Sequence, residues 1–402
     1  MNENVNEDVQ QNVVQNQNVV QNQINDDSKV LEEKHPQKRS KKKILLLLVM
    51  MLLTAVMLVS STYAWFTSNR TVTVEDINVN VAASGGIQIS VDGSSWKSLV
   101  TNDDLKGAHV TYAAATNQLP NTLKPVSTAA KTLDANGYLS MWLGTVSSSE
   151  TAENLGQYIL STEDVSTVGD NSADPAVVNQ GTNGNFVMFD VFIRLDSQEA
   201  TAQKLYLTNG SNVVVKNGSS DLGTQNSARV AFIKEGDTTN GSDLATIQAL
   251  KTNDASNVVV WEPNYDAHTS TGLSNAYSYY NDADNGTQYT KAMASQQITY
   301  FGTIGAVAVA DDVLLSEANA TDNSAKFSSI TPSIATAADW NTGSTYEELI
   351  SLTPNRITKL RIYFWIEGQD VDCENNASGG DITLKLQFSL NDKPASAESQ
   401  QP

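Results

Sequence analysis

At 402 residues, with 25 Lys and Arg against 45 Asp and Glu and a single cysteine, the chain has a net charge of −20 and cannot form an internal disulfide. Residues 1–64 hold equal numbers of each sign, so the acidic excess belongs to the remainder. A surface that acidic excludes nucleic acid as a partner and suits solubility outside a cell.

The chain opens on a polar tail, residues 1–43, in which Val13-Val14-Gln15-Asn16-Gln17-Asn18 is echoed by Val19-Val20-Gln21-Asn22-Gln23-Ile24. With no aromatic residue and few apolar ones it cannot bury a core, and the expectation is a disordered cytoplasmic tail. Lys38, Arg39, Lys41, Lys42 and Lys43 then lead into an apolar run beginning at Ile44. From Ile44 to Val59 the run is shorter than a full span, but extended to Ala64 it reaches the roughly 20 residues a membrane helix needs. Residues 44–64 therefore read as a signal or transmembrane segment, with the basic cluster on the cytoplasmic side. Small residues at Thr62 and Ala64 suit a signal-peptidase cut between Ala64 and Trp65. A cleaved, secreted product and a single-pass anchored ectodomain both remain open, and in either case the body is extracellular or on the cell surface.

After Phe66 the hydrophobic period changes to two, the signature of half-buried strands. Val72 and Val74 alternate with polar neighbours, as do Ile77, Val79 and Val81, and the change of phase between the two sets predicts a bulge at Glu75–Asp76. Ile87, Ile89 and Val91 continue the pattern up to an Asp92–Gly93 turn, and Tyr138–Leu143 follows an Asn136–Gly137 hairpin signal. Phe186–Leu195 is nearly continuous in apolar residues, as a strand covered on both faces should be. Leu205–Thr208 and Val213–Lys216 flank an Asn209–Gly210 turn, and Arg229–Lys234 and Val258–Trp261 add further strands. In Ile357–Ile366, Leu360, Ile362, Phe364 and Ile366 share a face opposite Lys359, Arg361, Tyr363 and Trp365. In Asp381–Leu390, Ile382, Leu384, Leu386, Phe388 and Leu390 share a face. Short helices are predicted over Thr151–Leu160, Asp243–Leu250 and Thr345–Ser351. The longest loop, Asn264–Thr290, carries Tyr277, Tyr279, Tyr280 and Tyr289. The sum is an all-β body over residues 65–390, a jelly-roll-like sandwich with long loops and a few short helices, closed by a disordered C-terminus over 391–402.

The junction Thr62-Tyr63-Ala64-Trp65-Phe66-Thr67 and the strand after it resemble the leader and mature start of the TasA/camelysin family of Gram-positive surface proteins. The last strand, Ile382-Thr383-Leu384-Lys385-Leu386-Gln387-Phe388-Ser389, is similar to theirs. The resemblance covers these two ends and leaves the middle of the chain without a counterpart. It implies a jelly-roll subunit that self-associates into fibres by donor-strand exchange, with Val72, Val74, Ile77, Val79 and Val81 as the donor strand. An extended segment with alternating side chains can satisfy an open sheet edge while filling pockets between strands. Period two does not distinguish a strand donated to a neighbour from the first strand of the chain's own sandwich.

Camelysin is described as a metallopeptidase, so catalysis needs weighing. The only histidines are His35, His109 and His268, with no His-Glu-x-x-His, and no Gly-x-Ser-x-Gly elbow occurs. No catalytic residue is expected. Calcium is the better metal, with Asp370, Asp372 and Glu374 alternating in a turn after a strong strand as its candidate ligands. The reading is a non-enzymatic structural protein of extracellular fibres or biofilm matrix. The alternative is a membrane-tethered adhesin or sensor ectodomain, with a metallopeptidase a distant third.

Overall fold

The computed structural model describes residues 72–74, 78–81, 86–148, 158–166, 183–195, 200–208, 210–264, 267–270, 272, 303–304, 313–314, 327–328, 348–368, 370, 372–373 and 379–390. The chain divides into two units, Met1–Val56 and Met57–Pro402. The first lies wholly outside the described residues, as do the tail 1–43, the segment 44–64, the junction Ala64–Trp65 and the C-terminus 391–402. Among the described residues no helix is long and apolar enough to cross a membrane.

The second unit is mostly β-sheet with a few short helices. Its first nine strands are β1 (Val72–Val74), β2 (Asn78–Val81), β3 (Ile87–Ser90), β4 (Leu99–Val100), β5 (Thr122–Leu123), β6 (Ser127–Leu133), β7 (Leu139–Ser148), β8 (Tyr158–Asp164) and β9 (Asn183–Gly184). Then come β10 (Val187–Leu195), β11 (Gln203–Leu207), β12 (Asn212–Val215), β13 (Ala228–Thr239) and β14 (Val258–Trp261). The pairs β15 (Thr303–Ile304), β16 (Val313–Leu314) and β17 (Phe327–Ser328) follow. The last three strands are β18 (Glu348–Leu352), β19 (Arg356–Ile366) and β20 (Asp381–Ser389).

Five strands in the order β14-β13-β19-β10-β3 form a central antiparallel sheet. A nine-stranded sheet runs β18-β11-β20-β1-β5-β9, with β12 and β2 also on β20 and β4 on β2. A four-stranded sheet, β16-β8-β7-β6, is built on the β6–β7 hairpin. The main core lies between the first two. Leu360, Ile362, Phe364 and Ile366 of β19 meet Ile382, Leu384, Leu386 and Phe388 of β20 in one apolar cluster, every member almost fully buried. The two most clearly alternating strands thus belong to different sheets and face each other across the core.

The other face of β19 is the surprise. A half-buried strand would leave it to water, yet Lys359, Arg361, Tyr363 and Trp365 are all buried. Val126, Leu139 and Met141 of the β6–β7 region cover Tyr363 and Trp365 at one end. Tyr112, Ala115 and Ile247, from helical turns, cover Phe192 and Ile357 at the other. The central sheet is therefore enclosed on both faces, as the apolar run of β10 predicts.

Several predicted elements take another form. Residues 158–160, read as helix, begin β8, and Thr345–Ser351 runs into β18. In both, pairing with a distant strand outweighs a local pattern too short to fix either period. Leu205–Thr208 and Val213–Lys216 do not fold back on each other around Asn209–Gly210. Instead β11 and β12 run end to end along one edge of β20, Leu207 opposite Phe388 and Asn212 opposite Lys385. From one pair to the other this side advances five residues while β20 advances three, and the Ser211 hydroxyl donates to the carbonyl of Gln387 at 3.2 Å. A helix not anticipated, Asn102–Gly107, starts at a capping box in which Thr101 and Asp104 satisfy each other's backbone N–H. The Asp243–Leu250 prediction is met by the helix Leu244–Gln248, capped by Asp243.

Candidate functional site

The N-terminal segment does not sit at a sheet edge. β1 lies between β20, with which it is parallel, and β5, with which it is antiparallel. β2 likewise lies between β20 (parallel) and β4 (antiparallel). Strands β1 and β2 thus occupy a slot inside the nine-stranded sheet, walled by β20 on one side and by β5 and then β4 on the other. β11 and β12 pair with β20 in antiparallel fashion, so the segment is the parallel neighbour of a strand otherwise paired antiparallel.

The register shows how the sequence fits this slot. Val74 stands opposite Ile382, Val79 opposite Leu386 and Val81 opposite Phe388, so the predicted donor valines fall at the positions of the core-facing residues of β20. On the other wall Val72 stands opposite Leu123 and Val79 opposite Val100, both fully buried. Between Val74 and Asn78 the segment advances four residues while β20 advances three, from Ile382 to Lys385. Glu75–Asp76, where the change of phase predicts a bulge, lie outside the described residues. Ile77 itself lies outside the described residues.

The wall has its own supports. β20 alternates Ile382, Leu384, Leu386 and Phe388 inward with Thr383, Lys385 and Gln387 half-buried. The Gln387 backbone N–H donates to Ser211 Oγ at 2.8 Å, and its carbonyl accepts from the Thr208 N–H, so the far edge of β20 is fully engaged. The face presented to the slot needs a strand in it, because backbone N–H and C=O groups left unpaired at a buried edge are costly.

The candidate calcium ligands are placed otherwise. Asp370 accepts a hydrogen bond from Arg229 at 2.5 Å, and Asp372 accepts from His268 Nδ1 at 2.8 Å and from the Thr269 backbone at 2.7 Å. Both carboxylates are spent on internal partners, and Glu374 lies outside the described residues. Among the described residues no group of three or more His, Cys, Asp and Glu side chains is placed to hold a metal ion. His109 Nδ1 donates to the Lys106 carbonyl at 3.0 Å, and His268 is tied to Asp372. The Tyr277–Tyr289 cluster lies outside the described residues.

Sequence reasoning missed a charge network on the enclosed face of the central sheet. Asp190 of β10 takes two hydrogen bonds from Arg361 of β19, at 2.8 and 3.1 Å, and lies 3.1 Å from Lys359 Nζ. Arg361 Nη1 is 2.7 Å from Glu235 Oε1 of β13. Burial works against the charge on Asp190, but Arg361 and Lys359 outweigh it and hold its carboxyl down at about 2. Burial pushes Glu235 up to about 7 against the pull of Arg361. Lys359 also donates to the Tyr112 hydroxyl at 3.1 Å and to the Gln248 carbonyl at 2.9 Å, which ties the covering helical turns to the sheet. The alternating Lys359–Arg361 on a strand with Asp190 directly across was the signal that could have found it. Compared with protein-family models, curated proteins and solved structures, the chain matches none.

Proposed function

We propose that the chain is an exported, non-enzymatic surface protein whose jelly-roll-like body is a structural subunit of extracellular fibres or biofilm matrix. Subunits join by donor-strand exchange: the segment 72–81 of one copy fills the slot beside β20 of the next. The segment 44–64 carries the chain to the membrane, and a cut after Ala64 frees the donor. One observation carries the reading: the segment nearest the proposed cut forms an interior strand, with sheet on both sides, rather than an edge strand. An interior position supplies two ladders of backbone hydrogen bonds to whichever copy's segment occupies it. The resemblance of both ends to the TasA/camelysin family points the same way.

The test is removal of residues 65–81 from the exported body, followed by electron microscopy of the secreted material. Loss of filaments, restored by adding the separate 65–81 segment fused to another copy, is expected. Filaments formed by the deleted body would end the donor-strand reading. The tethered-ectodomain alternative draws on the basic cluster Lys38–Lys43 and the apolar run behind it. It predicts an intact N-terminus on the surface protein, whereas the fibre reading predicts Trp65 as its first residue.

A further inference from the structure

Three Asn–Gly pairs stand at turns among the described residues: Asn136–Gly137 between β6 and β7, Asn217–Gly218 after β12, and Asn240–Gly241 after β13. All three asparagines are exposed. An asparagine followed by glycine can react with its own backbone. The glycine nitrogen, once it has lost its proton, attacks the asparagine side-chain carbonyl, closes a succinimide ring and expels ammonia. Water then opens the ring at one carbonyl or the other and leaves aspartate or isoaspartate. The net change is amide plus water to carboxylic acid plus ammonia. Glycine matters because it has no Cβ to obstruct the approach.

The step makes two demands on a fold: a glycine N–H without an acceptor, and a pair free to rotate until nitrogen and carbonyl carbon meet. Asn136–Gly137 meets neither. Gly137 is buried and its N–H donates to the Asp134 carbonyl at 3.1 Å, while the Asn136 N–H donates to the Asp134 carboxylate at 2.8 Å. Asn240–Gly241 meets only the first. The Gly241 N–H has no acceptor among the described residues, but the Asn240 N–H donates to the Asn355 carbonyl at 2.9 Å. The Ser242 hydroxyl, next along, is shared with those of Thr238 and Thr239. Asn217–Gly218 meets both. Both residues are exposed, and among the described residues neither N–H has an acceptor. No atom comes within 4 Å of where a Gly218 Cβ would stand, so the ring has room to form.

The anchors of this turn lie on either side of the pair. The Ser219 N–H closes it on the Lys216 carbonyl at 3.0 Å. The Lys216 N–H donates to the Asp381 carbonyl at 2.9 Å, and the Ser219 hydroxyl donates to the Asp381 carboxylate at 2.9 Å. The turn therefore grips the first residue of β20, whose partner in β1 is Thr73. Isoaspartate would put one more carbon into the backbone between the two anchors. Either product adds a second carboxylate to a turn that already holds that of Asp381, and like charges repel.

We propose that Asn217 is a site of spontaneous deamidation, preferred over the other two turns, and that its conversion loosens the hold on Asp381. To test the site, the full chain is incubated at about pH 8, digested and followed by mass spectrometry, with conversion read as a gain of about 1 Da per peptide. Asn217 should convert several-fold faster than Asn240, and Asn136 slowest of the three. The same incubation in denaturant is the reference, because all three pairs are Asn–Gly and only the fold separates them. There the rates should converge. Conversion of Asn217 no faster than that of either other turn in the folded chain overturns the site without needing any variant. So does an ordering that survives denaturant. The consequence is read by hydrogen exchange. The Lys216 and Ser219 amides should exchange several-fold faster in the aged chain than in Asn217→Gln aged alongside, whose longer side chain closes a ring far more slowly. Equal exchange in the two overturns the effect on Asp381.

Discussion

At the scale of residues, the network on the enclosed face of the central sheet sets what each charge does. Asp190 is almost fully buried, yet it stays ionised because Arg361 grips both of its oxygens and Lys359 stands beside it. Glu235, equally buried, shares Arg361 from one side, and burial prevails there. Such networks add little to stability relative to a well-packed apolar face, but removing one member leaves the others uncompensated. Arg361→Ala strips Asp190 of its bidentate partner and also removes the guanidinium stacked over the Tyr138 ring, 4.9 Å from its centroid. The expected cost is about 3–5 kcal/mol, read by chemical denaturation of the purified protein at neutral pH. A loss near zero would mean that Lys359 alone compensates Asp190.

At the scale of elements, the sequence was legible where the pattern was long and local. β10, β13, β14, β19 and β20 stand where their apolar residues place them. The Asn136–Gly137 signal is likewise real: the Gly137 N–H donates to the Asp134 carbonyl at 3.1 Å, and Gly137 has a φ of +79° between β6 and β7. A Cβ there would meet the Thr252 carbonyl oxygen at 2.4 Å, so glycine is required twice over, by conformation and by contact. Gly137→Ala should destabilise by roughly 1–3 kcal/mol and lower the melting temperature measured by circular dichroism. An unchanged melting temperature would show that the hairpin can move off Thr252. What stayed illegible depends on distant partners. Leu349, Ile350 and Leu352 suit a helix or a strand equally, and only β11 decides for β18. The charged face of β19 reads as solvated until Asp190 is seen across from it. The slot around β1 and β2 was not readable at all, since nothing in Val72–Val81 says that β4, β5 and β20 will flank it.

At the scale of the whole molecule, the described architecture brings residues 72–81 and 381–389 together in one sheet. Among the described residues the first strands, β1 and β2, lie against the last, β20, and the main core depends on β20 keeping a neighbour on each edge. A subunit that loses its own N-terminal segment has an open slot, and a subunit that offers its segment elsewhere needs one in return. Chains arranged so propagate head to tail without closing, which is the geometry of a fibre. The register states who should touch whom: Asn80 stands opposite Gln387. The most direct measurement uses two preparations with Cys373→Ser, one carrying Asn80→Cys and the other Gln387→Cys, mixed under assembly conditions and oxidised. Strand exchange between copies predicts a disulfide-linked product containing one chain of each kind. The contradicting result is no linked product from the mixture, together with complete closure within one chain when both cysteines are placed in the same copy.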